Sequence, residues 1–245
     1  MSNKQDEPIA RDGYDRLAEA FHRQADTKPH NAYLERPTTI SLMPSVSGMK
    51  TLDAGCGPGW YSRWMADRGA DVTAVDVSPN MIKHAKERLD GTGASVMVFD
   101  LDKPFPFRND QFDLVLMPLV ADNLKSLNNS FREVSRVLKE NGYFILSFGN
   151  PSYEYFMHRR VDSYFEEKMV NVTWRGFGFP VDIPFFMRPL TAYTEALHQT
   201  GFVIERLVEA KPTEEFKRVN KDDYNRMMKY PGFICVRCRL AFVDR

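Results

Sequence analysis

The sequence predicts a doubly wound α/β fold on one mainly parallel, seven-stranded sheet. Three observations predict it. Short apolar segments alternate with helix-patterned segments from Lys50 to Phe148, and such alternation makes right-handed crossovers with helices on both sheet faces. A glycine-rich turn, Gly55-Cys56-Gly57-Pro58-Gly59, joins the first apolar segment to the next helix. The fourth segment, Phe112 to Met117, is an apolar run, as a parallel strand buried on both faces requires.

Residues 1–12 are polar and are expected to fray. Tyr14 to about Met43 has helical spacing, with Leu17, Ala18 and Phe21 on one turn pattern and Tyr33, Ile40 and Leu42 on a second. Residues 1–46 are expected as an N-terminal helical unit and 47–245 as the main domain. Strands are expected at Lys50–Ala54, Asp71–Val75, Ser95–Phe99, Phe112–Met117 and Tyr143–Phe148. Helices fall between them. One runs from Pro58 to about Arg68 with Gly69 at its end, and one starts on Pro79 after the N-cap Ser78. A third spans Leu127 to Leu138. Residues 151–187 break the rhythm as an insertion. A helix at Leu190–Thr200 and two strands, Phe202–Val208 and Phe233–Leu240, finish the domain, the last strand antiparallel. Pro212 to Pro231 suits a loop with some helix.

Composition narrows the function. Lys plus Arg and Asp plus Glu are both 33 of 245 residues, so no net field draws in nucleic acid or an anionic membrane. No apolar stretch reaches the roughly 18 residues of a membrane span, and Met-Ser-Asn-Lys-Gln-Asp-Glu-Pro has no signal-peptide character. Three cysteines, Cys56, Cys235 and Cys238, are too few and too odd for a disulfide framework. The cytoplasm is the expected location. Cys235 and Cys238 lie three apart in a strand and so face opposite ways, with no second pair to complete a zinc site. No metal is expected.

The chemistry sits at the strand ends. Leu52-Asp53-Ala54-Gly55-Cys56-Gly57-Pro58-Gly59 ends the first strand, where glycines let backbone approach a ligand. Asp76 ends the second strand, 23 positions after Asp53, and Asp100 follows the third. A carboxylate at Asp76 can accept from both ribose hydroxyls of an adenosine group, and one at Asp100 from the adenine amine. The glycine pattern alone also fits an ordinary loop, and the acids also fit solvated caps. A dinucleotide fingerprint would place a small residue where Trp60 stands. No Lys followed by Ser or Thr makes a phosphate loop.

These residues, with Gln111-Phe112-Asp113-Leu114-Val115, resemble the class I S-adenosylmethionine-dependent methyltransferases, whose sheet is Rossmann-like. The small-molecule branch grouped with ubiquinone and menaquinone C-methyltransferases is the nearest in pattern. The resemblance covers about residues 10–150 well and 188–245 loosely. It implies S-adenosylmethionine as cofactor and a small-molecule acceptor. By it, Asp53, Gly55, Cys56 and Gly57 hold or pack around the methionine part, and Asp76 the ribose. Val77 and Met81 pack on adenine, Asp100 takes its amine and the Leu101 backbone N–H a ring nitrogen. Met117, Pro118 and Leu119 line the sulfonium end, where relatives often have alanine or serine. Tyr14 and Tyr33 resemble aromatics of a helical lid that closes over the cofactor, and packing of helix on core is the alternative.

The insertion follows strand 5, where this family places a cover over the acceptor. Ten aromatic residues fall in residues 153–187, out of 18 Phe, 10 Tyr and 3 Trp in the chain. Tyr155, His158, Trp174 and Phe186 are its candidates for an apolar or aromatic acceptor pocket. A satellite core or a dimer contact is the competing use of these rings, and a surface role that of His158. No catalytic base declares itself. The oligomeric state is not legible. Two other classes stay open: a non-catalytic S-adenosylmethionine-binding protein, and a nicotinamide-dependent oxidoreductase on a related fold.

Overall fold

The computed structural model describes residues 7–241, so the first half of the polar lead lies outside the described residues. The main sheet has seven strands in the order β3-β2-β1-β4-β5-β9-β8. These are β1 Lys50–Ala54, β2 Asp71–Asp76, β3 Ser95–Val98, β4 Phe112–Pro118, β5 Leu138–Gly149, β8 Phe202–Glu209 and β9 Phe233–Leu240. β1 to β5 run parallel, and β9 lies antiparallel between β5 and β8. The doubly wound, Rossmann-like α/β fold is therefore as expected, including the antiparallel last strand.

Alternation along the strands builds two core layers. Leu114 and Leu116 face one layer, and Val115 and Met117 the other. Cys235 and Cys238 likewise sit in opposite layers, both buried as free thiols. Between the strands run α3 Trp60–Ala66, α4 Pro79–Arg88 and α5 Leu127–Val137. In α5, Leu127, Phe131, Val134 and Val137 are buried at helical spacing, and the Ser126 hydroxyl accepts from Asn129 N–H to cap it. α4 is capped in the same way by Ser78, which accepts from Met81 N–H.

Some elements differ from expectation. α3 starts at Trp60 rather than Pro58, because Gly59 at φ +82° turns the chain left-handed first. Ahead of β1, α1 Arg11–Gln24 and α2 Arg36–Leu42 flank a π-helical turn at Asn31–Glu35. The insertion is ordered as α6 Pro151–His158 and an antiparallel pair, β6 Lys168–Trp174 with β7 Val181–Met187. Its hairpin packs Phe177, Val181 and Ile183 on Leu17 and Ala20 of α1. After α7 Leu190–Gln199, residues 212–231 form α8 Glu214–Val219 and α9 Lys221–Lys229, more helix than loop.

Candidate active site

Strand order reverses between β1 and β4, and a cavity of about 520 Å³ opens at their carboxyl ends. That position suits ligands in open α/β sheets, and the volume lies within the roughly 300–1,000 Å³ of small-molecule sites. The glycine loop forms its floor. Gly55 and Cys56 N–H both donate to Val75 C=O, at 2.8 and 2.9 Å, which pins the loop to β2. Gly55 has φ +87°, and a Cβ there would lie 2.2 Å from Val120 Cγ2. Gly57, at φ +53°, faces open space. Gly55→Ala is expected to cost both backbone strain and a clash, lowering the thermal midpoint and loosening cofactor binding. An unchanged midpoint in a thermal melt would contradict that geometry.

Asp76 is tied into the same floor. Its two carboxylate oxygens accept from Gly57 N–H and Ser78 N–H, each at 2.9 Å. Burial still raises its pKa above the usual carboxylate range. Behind the loop, Asp53 is fully buried; its Oδ2 accepts from the Ser62 hydroxyl, and its Oδ1 has no hydrogen-bond partner. Burial pushes Asp53 up to about 7.

The cavity gathers Tyr14, Gly55, Cys56, Gly57, Asp76, Val77, Met81, Asp100, Leu101, Pro118 and Leu119 in one continuous wall. His158 and Trp174 of the insertion complete it. Five expected residues lie off it. Met117 is fully buried in the core layer opposite Leu116, and it is the next residue, Pro118, that reaches the cavity. Phe186 alternates with Phe185, so Phe185 lines the cavity and Phe186 faces a small adjoining pocket. Tyr155 packs on Phe156 and Tyr164. Tyr33, on the π-helical turn, packs against the core layer, and its carbonyl accepts from the Thr213 hydroxyl. Asp53 stands behind the loop.

Several lining residues carried no readable signal. Glu35, on the π-helical turn, accepts from the hydroxyls of Thr39, Tyr61 and Ser147 at 2.6, 2.9 and 2.7 Å. Ser147 also accepts from Leu119 N–H, at φ +57° in Leu119, so this buried knot fixes the bend after β4. The Arg36 guanidinium lies 3.7 Å over the Trp60 ring. Lys28 sits 3.4 Å over Phe177, and burial lowers it to about 8. Asp122, in the turn after β4, Asp102, after β3, and Gly149, at the end of β5, stand where a strand-end rule could have found them.

These residues fit an adenosyl cofactor. Asp76 keeps lone pairs free after accepting two N–H groups, the space over Gly57 is open, and Asp53 Oδ1 is an orphaned buried acceptor near the loop.

Comparison with known proteins agrees. A family model described as a methyltransferase domain matches residues 52–146. A malonyl-[acyl-carrier protein] O-methyltransferase of Enterobacter lignolyticus is 34% identical over 135 residues, 54% of this chain and 52% of that protein. Its counterpart in Salmonella typhimurium is 31% identical over 129 residues, 51% of this chain and 50% of that one. The chain thus spans about half the length of these curated relatives. The crystal structure of an S-adenosylmethionine dependent methyltransferase from Mesorhizobium loti superposes with TM-score 0.75 at 26% identity, covering 87% of this chain and 99% of that one.

A glycine loop at the strand-order reversal, with carboxylates closing the next two strands, makes this a nucleoside-cofactor domain. Residues 52–146 form a methyltransferase domain, and the fold is that of the S-adenosylmethionine-dependent methyltransferases. The finer likeness to quinone C-methyltransferases gains no support from relatives named as O-methyltransferases.

Proposed function

We propose that the chain moves a methyl group from S-adenosylmethionine to a small, apolar or aromatic acceptor. One observation carries the reading: a single cavity runs from the glycine loop, Asp76 and Asp100 to the aromatic hairpin of the insertion. In this reading Asp76 holds the ribose and Asp100 the adenine amine, with Val77 and Met81 on the ring faces and Leu101 N–H on a ring nitrogen. Gly55, Cys56 and Gly57 pack on the methionine part, with the Asp53 carboxylate behind them. Leu119 walls the reacting end, backed by Met117.

When bound, the cofactor supplies an already electrophilic methyl group. The chain's own residues have to align the acceptor and exclude water. Of the N-terminal unit expected over residues 1–46, the described part, residues 7–46, acts as the lid. Tyr14 lines the cavity from α1, and Asp15 beside it accepts from the Ser78 hydroxyl and Asn80 N–H at the start of α4. Tyr33 supports the lid from below. Trp174, edge-on to Tyr14 at 5.9 Å, and Phe185 form the acceptor wall. Buried free cysteines accord with a reducing, cytoplasmic setting, and no helix among the described residues is long and apolar enough to cross a membrane.

Calorimetry with S-adenosylmethionine and with a nicotinamide dinucleotide, followed by release of S-adenosylhomocysteine against an acceptor panel, tests this. One-site binding of S-adenosylmethionine and turnover are expected. Dinucleotide binding in its place would favour an oxidoreductase, and binding without turnover a regulatory protein. Trp174→Ala should weaken acceptor binding about tenfold or more and cofactor binding less, while Phe186→Ala should do little to either. Equal losses of acceptor and cofactor affinity in Trp174→Ala, with a lower thermal midpoint, would make Trp174 a packing residue.

A further inference from the structure

At the insertion end of the cavity stands a carboxyl whose one close polar partner among the described residues is a histidine on its own helix. Glu154 of α6 lines the cavity, yet among the described residues its side chain accepts no hydrogen bond. Its nearest polar contact is His158 Nε2, one turn along the helix at 3.6 Å. With a quarter of its side chain exposed and no N–H or O–H donor among the described residues committed to it, this carboxyl stays open to a ligand in the cavity, and a perturbed carboxyl in a cleft is a candidate for function. Asp122, its neighbour across Gly149, is the opposite case. Asp122 accepts from the Tyr193 hydroxyl and from Gly149 N–H, and so is committed to structure. Glu154 Oε1 lies 3.6 Å from where a Gly149 Cβ would sit, so the absent side chain leaves the carboxyl its room.

Resting on the methyl-transfer reading, we propose that Glu154 is the general base for the acceptor, with His158 as the positioning residue that passes the proton outward. The acceptor class follows: a phenol-like or enolic hydroxyl that must lose a proton, not a carboxylate that is already ionised. The acceptor O–H bond breaks and its proton goes to Glu154. The oxygen electron pair forms the new bond to the methyl carbon, and the pair of the S–CH3 bond goes to sulfur. Glu154 then releases the proton through His158, whose side chain is 37% exposed.

The surroundings agree. Burial first, then the Asp122 carboxylate, raises Glu154 to about 7, with Arg160 opposing. A base that titrates near the working pH is the effective kind. Burial, Arg160 and Arg226 lower His158, which is therefore neutral at pH 7 and free to relay. Tyr193 and Arg188 face Glu154 across the small adjoining pocket, and Tyr153 adjoins it on α6. Two carboxylates at this end also disfavour an anionic acceptor.

The test uses the full chain, S-adenosylmethionine, a series of substituted phenols and the matching benzoates, with S-adenosylhomocysteine release followed against pH. Phenol turnover should rise through about pH 7. Glu154→Gln should lose about a hundredfold or more at pH 7, and its rate should instead track ionisation of the phenol. His158→Gln should retain the limb near 7 at a lower rate. In carbon NMR of glutamate-labelled chain, the one carboxyl lost in Glu154→Gln should titrate near 7 rather than near its ordinary 4.5. Wild-type rate and profile in Glu154→Gln, benzoates methylated in preference, or turnover of neither class would each overturn the proposal. Calorimetry separates the two readings: Glu154→Gln should bind S-adenosylmethionine as the wild type does. A wild-type chain that binds none would overturn the methyl-transfer reading itself.

Discussion

Replacing Asp76 with alanine is expected to weaken S-adenosylmethionine binding by about a hundredfold or more. Truncating one partner of a buried, hydrogen-bonded charge costs roughly 2–5 kcal/mol, and each 1.4 kcal/mol is about tenfold in affinity. Here the loss is compounded. Both oxygens of Asp76 already accept backbone N–H groups, from Gly57 and Ser78. In the proposed pose alanine therefore removes the ribose acceptor, and in any pose it leaves two loop donors without a partner. Asp76→Asn should rescue little, because its amide sets a donor against one of those N–H groups. Calorimetry checks both variants. Affinity within a few-fold of wild type in Asp76→Ala would mean that the ribose lies elsewhere.

Asp53→Asn should make the free protein more stable at neutral pH. Asp53 has no exposed surface and one unpartnered oxygen, and its pKa is raised from 3.8 to about 7, mainly by burial. Between those values the folded chain keeps a proton that the unfolded chain has released. Stability therefore falls as pH rises through that window and levels off above about 7. The shift amounts to at most about 4 to 5 kcal/mol, at roughly 1.4 kcal/mol per pKa unit. Asparagine keeps an acceptor for Ser62 and has no charge to bury. In urea unfolding its advantage should be full above pH 7 and vanish toward pH 4. The same change should reduce the gain in thermal midpoint on adding S-adenosylmethionine, whose methionine end would lose a nearby carboxylate. A stability difference independent of pH would show that Asp53 is ionised without cost.

What could be read from the sequence was what depends on backbone position. Gly55, Gly57, Asp76 and Asp100 are set by where strands end, and alternation of apolar segments locates those ends. All four line the cavity. Side-chain direction inside an element was less legible. Met117 and Phe186 were chosen by segment, and each is one pleat step from the surface that lines the cavity. The insertion hid its hairpin because Met169-Val170 breaks the alternation of Lys168–Trp174 and none of the seven residues is buried, so no core-facing stripe marks the strand. Glu35 and Glu154 were hidden for another reason. Each is a charged residue, the ordinary sign of a solvated face; only the packing around the π-helical turn buries Glu35, and only the fold of α6 onto β5 brings the partly exposed Glu154 to the cavity wall.

The central claim is that one cavity holds the cofactor and presents its reactive end to the insertion. A crystal structure with S-adenosylhomocysteine tests it most directly. The ribose hydroxyls should bond Asp76, the adenine amine should meet Asp100, and the sulfur should lie beside Leu119 facing Trp174 and Glu154. A nucleoside bound outside this cavity, or a sulfur turned away from the insertion, would contradict it.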